Sequence, residues 1–361
     1  MSMILPASAQ VLPLEPTGVW VDVTPADMDL DSGGDNFGNS GQPVVDPANP
    51  LRGWVGADYQ GVWITNDAFK TFTKISAVGS PVSGGKIWGM GIALDGRLYA
   101  ATGNNFTNPV DGWLRLFTST DLGVTWTSAA VTDYGWQPYQ CEASPFDAAT
   151  LLATTHGSSS GDDPTVKLST DRGVTFSNIF NPNKGNSGYA YWGLADPPTI
   201  IFVADEGGAG ADATQVWAFN GSVWGLAQID DQYHYHGSHQ LWTDHVNGVL
   251  YNPGPLGVKR SLDNGLTWEL VSSGAGRDSG AAVATPTRVY AGRGYASQGT
   301  FAPQLQDAPL NGASGSWVPR SAPAGMFNGP RSIAVTQNVA GQRVLLATCW
   351  TAGLWRYVEA A

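Results

Sequence analysis

Apolar residues in this chain come in short runs between turn residues, and no convincing stretch repeats with helical spacing. Seven times a turn signal precedes such a run. Asp46-Pro-Ala-Asn-Pro50 leads to Trp54-Val-Gly-Ala57, Leu94-Asp-Gly-Arg97 to Leu98-Tyr-Ala-Ala101, and Ser144-Pro-Phe-Asp147 to Leu151-Leu-Ala-Thr154. Asp196-Pro-Pro198 leads to Ile200-Ile-Phe-Val203, and Thr243-Asp-His-Val-Asn-Gly248 to Val249-Leu-Tyr251. Thr285-Pro286 leads to Val289-Tyr-Ala291, and Gln337-Asn-Val-Ala-Gly341 to Val344-Leu-Leu-Ala347. Runs of this length between Gly, Pro, Asn and Asp predict strands, so the chain is all-β with seven turn–strand units.

A second punctuation repeats more regularly. Thr65-Asn-Asp67-Ala-Phe-Lys-Thr-Phe72, Ser119-Thr-Asp121-Leu-Gly-Val-Thr-Trp126, Ser169-Thr-Asp171-Arg-Gly-Val-Thr-Phe176 and Ser261-Leu-Asp263-Asn-Gly-Leu-Thr-Trp268 each place an aromatic five residues after an Asp. The pattern predicts a hairpin in which the carboxylate accepts backbone N–H bonds, Gly takes a positive φ, and the aromatic covers the turn. The Asp positions advance by 54, 50 and then 92 residues, the last step being nearly double. A worn copy, Asn220-Gly-Ser-Val-Trp224, fills that gap, and another is Asn311-Gly-Ala-Ser-Gly-Ser-Trp317. A period of about 40–50 residues is that of four-stranded propeller blades.

These features predict a seven-bladed β-propeller of four-stranded antiparallel blades. Each blade reads strand A, turn, strand B, loop, strand C, Asp-bearing turn, strand D. The last unit ends at Leu354-Trp-Arg-Tyr-Val358 without a D strand, and Gly18-Val-Trp-Val-Asp-Val23 is spare. We expect that segment to close the ring as the outer strand of the last blade, which removes exposed edges. The propeller is then residues 18–361, and residues 1–17 are a disordered start or the remnant of an export signal. Antiparallel order puts the A–B and C–D turns on one rim and the B–C loops and D–A crossovers on the other.

Composition narrows the function. One ring accommodates all 361 residues, and 46 Gly with 23 Pro suit a turn-rich chain. Charged residues are 13% of the chain and the net charge is −12, which excludes a phosphate-backbone partner. No apolar run is long enough to span a membrane. Low charge and 15 Trp favour neutral, ring-shaped ligands, although most of the Trp must fill blade cores. Cys141 and Cys349 fall in non-neighbouring blades and are expected as buried thiols. Ala7-Ser8-Ala9 has the small-x-small form of a signal-peptidase site, so a secreted or periplasmic protein is expected. A monomer without cofactor or bound metal is expected.

The crossover rim collects the chemistry. The crossovers supply Asp35, Lys86, Trp88, Trp136, Tyr139, Glu142, Tyr191, Trp192, His234, Tyr235, His236, Arg277 and Arg331. The B–C loops supply Asp58, Tyr59, Asp205, Arg293, Tyr295 and Trp350. Aromatic rings stack on sugar C–H faces, and amides and carboxylates bind hydroxyls, so a polysaccharide or oligosaccharide is the expected partner.

The Asp-bearing turns resemble the Asp-box repeat shared by sialidases, sortilin-type receptors and xyloglucan-active glycoside hydrolases. Val45-Asp-Pro-Ala-Asn-Pro50 followed by Trp54-Val-Gly-Ala-Asp58-Tyr-Gln-Gly61-Val-Trp63 resembles the first-blade strand pair of the last group. That resemblance implies a catalytic carboxylate at Asp58. The family uses two propellers facing a cleft, with the second carboxylate on the other one; here there is one.

Three readings follow. The first is a glycoside hydrolase, with Asp58 and a second acid among Glu142, Asp205, Glu206 and Asp35 flanking the scissile bond. The second is a lyase acting on uronates, with His234, His236 or a Tyr as base and Arg277, Arg293 and Arg331 neutralising the carboxylate; a metal held by His234, His236 and His239 is a variant of it. His245 is excluded because it falls in an A–B turn. A sialidase fits less well, because its arginines would come from two adjacent blades and its Arg-Ile-Pro signature is missing. The third is a non-catalytic glycan-binding or scaffold propeller. Crossovers that differ from blade to blade favour one asymmetric site.

Overall fold

The computed structural model describes residues 14–30, 42–76, 80–83, 85–103, 115–128, 137–156, 165–181, 187–194, 199–205, 214–219, 222–230, 240–254, 257–273, 280–293, 304–349 and 351–360. They form seven four-stranded antiparallel sheets, and among them the only helix is a single 3-10 turn, Pro81–Ser83. The fold is a seven-bladed β-propeller.

Strand β1 (Trp20–Asp22) comes first in the chain but belongs to the last blade. Blade 1 is β2 (Val44–Asp46), β3 (Asn49–Ala57), β4 (Gly61–Thr65) and β5 (Thr73–Lys74). Blade 2 is β6 (Lys86–Ile92), β7 (Leu98–Gly103), β8 (Arg115–Ser119) and β9 (Thr127–Ser128). Blade 3 is β10 (Gln137–Ala143), β11 (Leu151–His156), β12 (Val166–Ser169) and β13 (Ser177–Phe180). Blade 4 is β14 (Ser187–Trp192), β15 (Ile200–Asp205), β16 (Thr214–Phe219) and β17 (Trp224–Asp230). Blade 5 is β18 (Trp242–Asp244), β19 (Val249–Gly254), β20 (Gly257–Ser261) and β21 (Glu269–Leu270). Blade 6 is β22 (Gly280–Ala284), β23 (Arg288–Arg293), β24 (Gln304–Pro309) and β25 (Val318–Arg320). Blade 7 is β26 (Pro330–Gln337), β27 (Arg343–Cys349), β28 (Gly353–Val358) and β1.

The N-terminal strand closes the ring as expected. Val21 pairs with Arg356, and flanking backbone bonds join Gly18 N to Val358 O and Val23 N to Leu354 O. The clasp starts earlier than residue 18. Glu15 meets Arg356 at 2.8 Å and Lys70 at 3.1 Å, and accepts a bond from Asn338 at 2.8 Å. One carboxylate thus joins the N-terminal segment to blades 1 and 7.

The Asp-bearing turns cap themselves as their sequence requires. Asp121 Oδ1 accepts the Thr125 N–H at 2.9 Å, Oδ2 accepts the Thr125 hydroxyl at 2.6 Å, and Ser119 adds a third bond. Asp171 and Asp263 repeat the same three bonds, and Asp67 repeats them with an added bond from Lys70 N. Two successive residues take positive φ in each turn, such as Leu122 and Gly123; in blade 1 the pair is Ala68 and Phe69, without a Gly. Trp126, Trp268 and Trp317 each donate their indole N–H to the turn carbonyl beneath. Asn311–Trp317 is therefore a worn copy of the same turn.

Apolar clusters fill the spaces between neighbouring blades. Trp54, Val62, Ile87, Leu98 and Phe117 make one such cluster, from blades 1 and 2. Cys141 and Cys349 are buried free thiols. The A strands gather at the axis: β6 touches β10 and β2, β26 touches β22 and β2, β10 touches β14, and β18 touches β22. Gly89 permits one close approach, since a Cβ there would stand 3.0 Å from the Gln140 Cα. Gln240 in blade 5 reaches blade 7, exchanging bonds of 2.9 and 2.6 Å with the Ile333 backbone. No helix among the described residues is long and apolar enough to cross a membrane.

Candidate functional site

Three A strands carry a β-bulge near their crossover end. In β6 the pairing passes from Ile87 to Gly89, leaving Trp88 out; in β10 it passes from Pro138 to Gln140, leaving Tyr139 out. In β26 it passes from Pro330 to Ser332, leaving Arg331 out. A bulge breaks the strict alternation of side chains and re-aims the extra residue. All three lie within the first three residues of their strands, so blades 2, 3 and 7 present them at the same end of the axis.

They meet there. The Trp88 and Tyr139 rings are 4.9 Å apart, and Tyr139 continues to Tyr189 at 5.1 Å. The Arg331 Cζ lies 5.8 Å from the Trp88 ring centre, and the Lys86 Nζ lies 5.6 Å from it. Attraction between a cation and the ring face favours both placements. Trp88 is partly exposed, whereas Tyr139 is 1% exposed and backs it from behind. Space for the indole comes from Gly103 on β7, where an added Cβ would stand 1.9 Å from Trp88 Nε1.

Asp58 borders this group. It follows β3 in the B–C turn and is 3% exposed, and its Oδ1 accepts the Ile87 N–H at 3.1 Å. Next to it Tyr59 takes a φ of 57° and donates its N–H to Gly85 O at 2.9 Å. The blade 1 turn is thereby fastened to the start of β6, one residue before Trp88.

Glu142 is placed differently from expectation. Expected in a crossover, it instead pairs with Leu152 two residues before the A–B turn, at the opposite end of β10. The strand starts at Gln137, so six residues of extended chain carry position 142 across the blade. Asp58 and Glu142 therefore cannot flank one bond. Tyr191 and Trp192 also move: both belong to β14, each is 2% exposed, and Trp192 donates its indole N–H to Glu142 O at 3.2 Å. They are packing residues between blades, not rim residues, because strand A begins five to six positions earlier than a crossover assignment requires.

Burial pushes the Glu142 carboxyl up to about 8, opposed by a backbone hydrogen bond from Trp192. Gln140 Nε2 donates to its Oε2 at 3.2 Å. A cavity of about 450 Å³ opens beside it, lined also by Gln240, Trp242, Thr243, Asp244 and His245. His245 lies on the Asp-turn rim, the rim to which the sequence assigned it.

Asp205 and Arg293 end β15 and β23, which puts their backbones at the crossover end. Asp35, Trp136, His234, Tyr235, His236, Arg277, Tyr295 and Trp350 lie outside the described residues. Among the described residues no group of three or more His, Cys, Asp and Glu side chains is arranged to hold a metal. Lys86 stands with Trp88 among the crossover residues read from the sequence, whereas Gly103 and the cavity residues Gln240 and Trp242 are not among the site residues read there. A Lys opening an A strand beside an aromatic was visible in Lys86-Ile-Trp88; the fit of Gly103 under that aromatic was not.

No family model and no curated protein matches the chain. Solved structures do. YCF48 bound to D1 peptide is similar over 99% of this chain and 100% of that one, with a TM-score of 0.58 at 14% identity. An ancestral GH74 enzyme is similar over 86% of this chain and 47% of its own, with a TM-score of 0.61 at 13% identity. The GH74 xyloglucanase from Xanthomonas campestris gives 88%, 50% and 0.52 at 13% identity. This chain thus spans about half of each GH74 enzyme. The likeness is one of fold, shared by glycoside hydrolases and by a peptide-bound propeller.

Proposed function

We propose that this protein recognises a glycan at the crossover end of its axis. The observation that supports it best is the coincidence of three bulges: Trp88, Tyr139 and Arg331 each leave the ladder of a different A strand and converge. A bulge weakens a ladder, and three at one end of a ring are expected where side chains must be aimed at a ligand. Trp88 supplies a face for a sugar ring, Tyr139 stiffens it, and Arg331 and Lys86 supply charge beside it. The GH74 likeness is compatible with an oligosaccharide, and the sequence already favoured one.

Hydrolysis is the second reading. Asp58 brings a carboxylate to the same end through its bond to Ile87, and Asp205 ends a B strand there. On this reading those two acids replace the pair Asp58 and Glu142.

Calorimetry against neutral and uronate-containing oligosaccharides, with reducing ends followed in parallel, tests both. Trp88→Ala is expected to weaken binding at least about tenfold in a protein that still folds. Unchanged binding in Trp88→Ala would overturn the proposed site. Reducing ends that vanish in Asp58→Asn would replace recognition with hydrolysis.

A further inference from the structure

We propose that the cavity at the Asp-turn end of the axis is a second binding site, for a neutral hydrogen-bonding ligand about the size of one sugar ring. It is separate from the bulge site and does not depend on it. Its volume of about 450 Å³ is in the range of small-molecule pockets.

The lining decides the ligand's charge. Glu142 holds its proton at neutral pH because burial raises its pKa to about 8, so it offers an O–H donor. His245 is shifted down by burial and is a neutral imidazole. The Asp244 carboxylate is taken up by its own turn, accepting bonds from Val246 N, Asn247 N and Asn247 Nδ2 at 2.8 to 3.0 Å. A bound anion would therefore find no opposite charge, and a cation would meet only a carboxylate already engaged by three amide N–H groups. What the cavity offers is donors. The donor within reach is the Glu142 proton; Trp242 also lines the cavity, and its Nε1 is buried with no acceptor among the described residues. A buried N–H without a partner is costly, and a ligand oxygen that reached it would recover that loss. Leu241, Pro145 and Pro286 add apolar surface suited to the C–H face of a ring.

Among the described residues the other titratable groups near Glu142 are Asp244 and His245 in the cavity, the neighbouring Cys141 thiol, and Tyr191, which feels both Glu142 and the Arg331 guanidinium. Ligand-observed NMR with glucose, xylose and glucuronate as probes tests the site in the intact protein. Glucose or xylose is expected to bind at millimolar concentration and more tightly than glucuronate. In a Trp88→Ala background, which removes the bulge site, Trp242→Phe should weaken that binding about fivefold or more. Wild-type binding should fade above pH 8, and Glu142→Gln, which keeps a donor there, should bind evenly across the range. Absence of neutral-sugar binding, stronger binding of glucuronate, or full binding by a folded Trp242→Phe in that background would each overturn the proposal. Loss in Trp88→Ala but not in Trp242→Phe would assign the signal to the bulge site and overturn it equally.

Discussion

Gly103 lies directly under the Trp88 indole, so close that a single added carbon would stand 1.9 Å from Nε1. Gly103 pairs with Lys86 on the neighbouring strand of blade 2, and the bulge in β6 leaves Trp88 unpaired with its ring over the glycine. Gly103→Ala should therefore displace Trp88 while leaving the rest of blade 2 paired. The expected result is binding reduced about as far as in Trp88→Ala, with a modest stability loss of about 1–3 kcal/mol from overpacking. Calorimetric affinity and a urea unfolding curve check the two effects separately.

Ring closure depends on one carboxylate more than its exposure implies. Glu15 meets Arg356, whose side chain is largely buried and also donates to Ala68 O. Glu15→Ala leaves that guanidinium without its counter-charge. A loss of about 2–4 kcal/mol is expected, larger than for an exposed ion pair. Chemical denaturation measures it, and Arg356→Met should cost less than Glu15→Ala if the unpaired charge is the cause.

Glu142 makes stability fall as pH rises. The unfolded chain releases this proton near the ordinary carboxyl value of 4.5, whereas the folded protein keeps it to about 8. Between those values the folded state binds more protons, so stability declines by about 1.4 kcal/mol per pH unit for this group. Glu142→Gln should remove that slope. The two proteins are expected to unfold alike near pH 4 and to diverge toward pH 8, with the variant the more stable, as thermal melts across pH will show.

The turn aspartates act with the opposite sign. Hydrogen bonds from Thr125 and Thr175 hold Asp121 and Asp171 down at about 2, below the ordinary value of 3.8. Their contribution is present above 3.8 and is lost as pH falls through the folded value. Asp263 receives the same bonds, and Asp263→Ala should cost about 1–2 kcal/mol, as for a lost helix cap. A midpoint shift in urea at pH 7 that disappears near pH 2 would confirm it.

Much of the ring was legible because its determinants are local. A turn needs residues that adopt positive φ or bond their own backbone, and Asp121-Leu-Gly123 declares both within three positions. The spare strand at Trp20–Asp22 was found by counting, since seven blades leave one edge open. The site was less legible. Glu142 was placed at the crossover rim because nothing local marks where β10 begins. Tyr191 and Trp192 look like ligand-facing aromatics in any list of residues, and only packing between blades shows them to be buried.

By itself the sequence determined how many sheets form and where the Asp-bearing hairpins turn, since these are set by residues adjacent in the chain, and the count of strands then left one segment to close the ring. The tertiary structure decided which side chains reach the axis. Bulges at Trp88, Tyr139 and Arg331 arise from register between strands, and register is a balance of pairings over whole sheets. The raised pKa of Glu142 comes from desolvation where residues of blades 3, 4 and 5 crowd its carboxyl group beside the cavity.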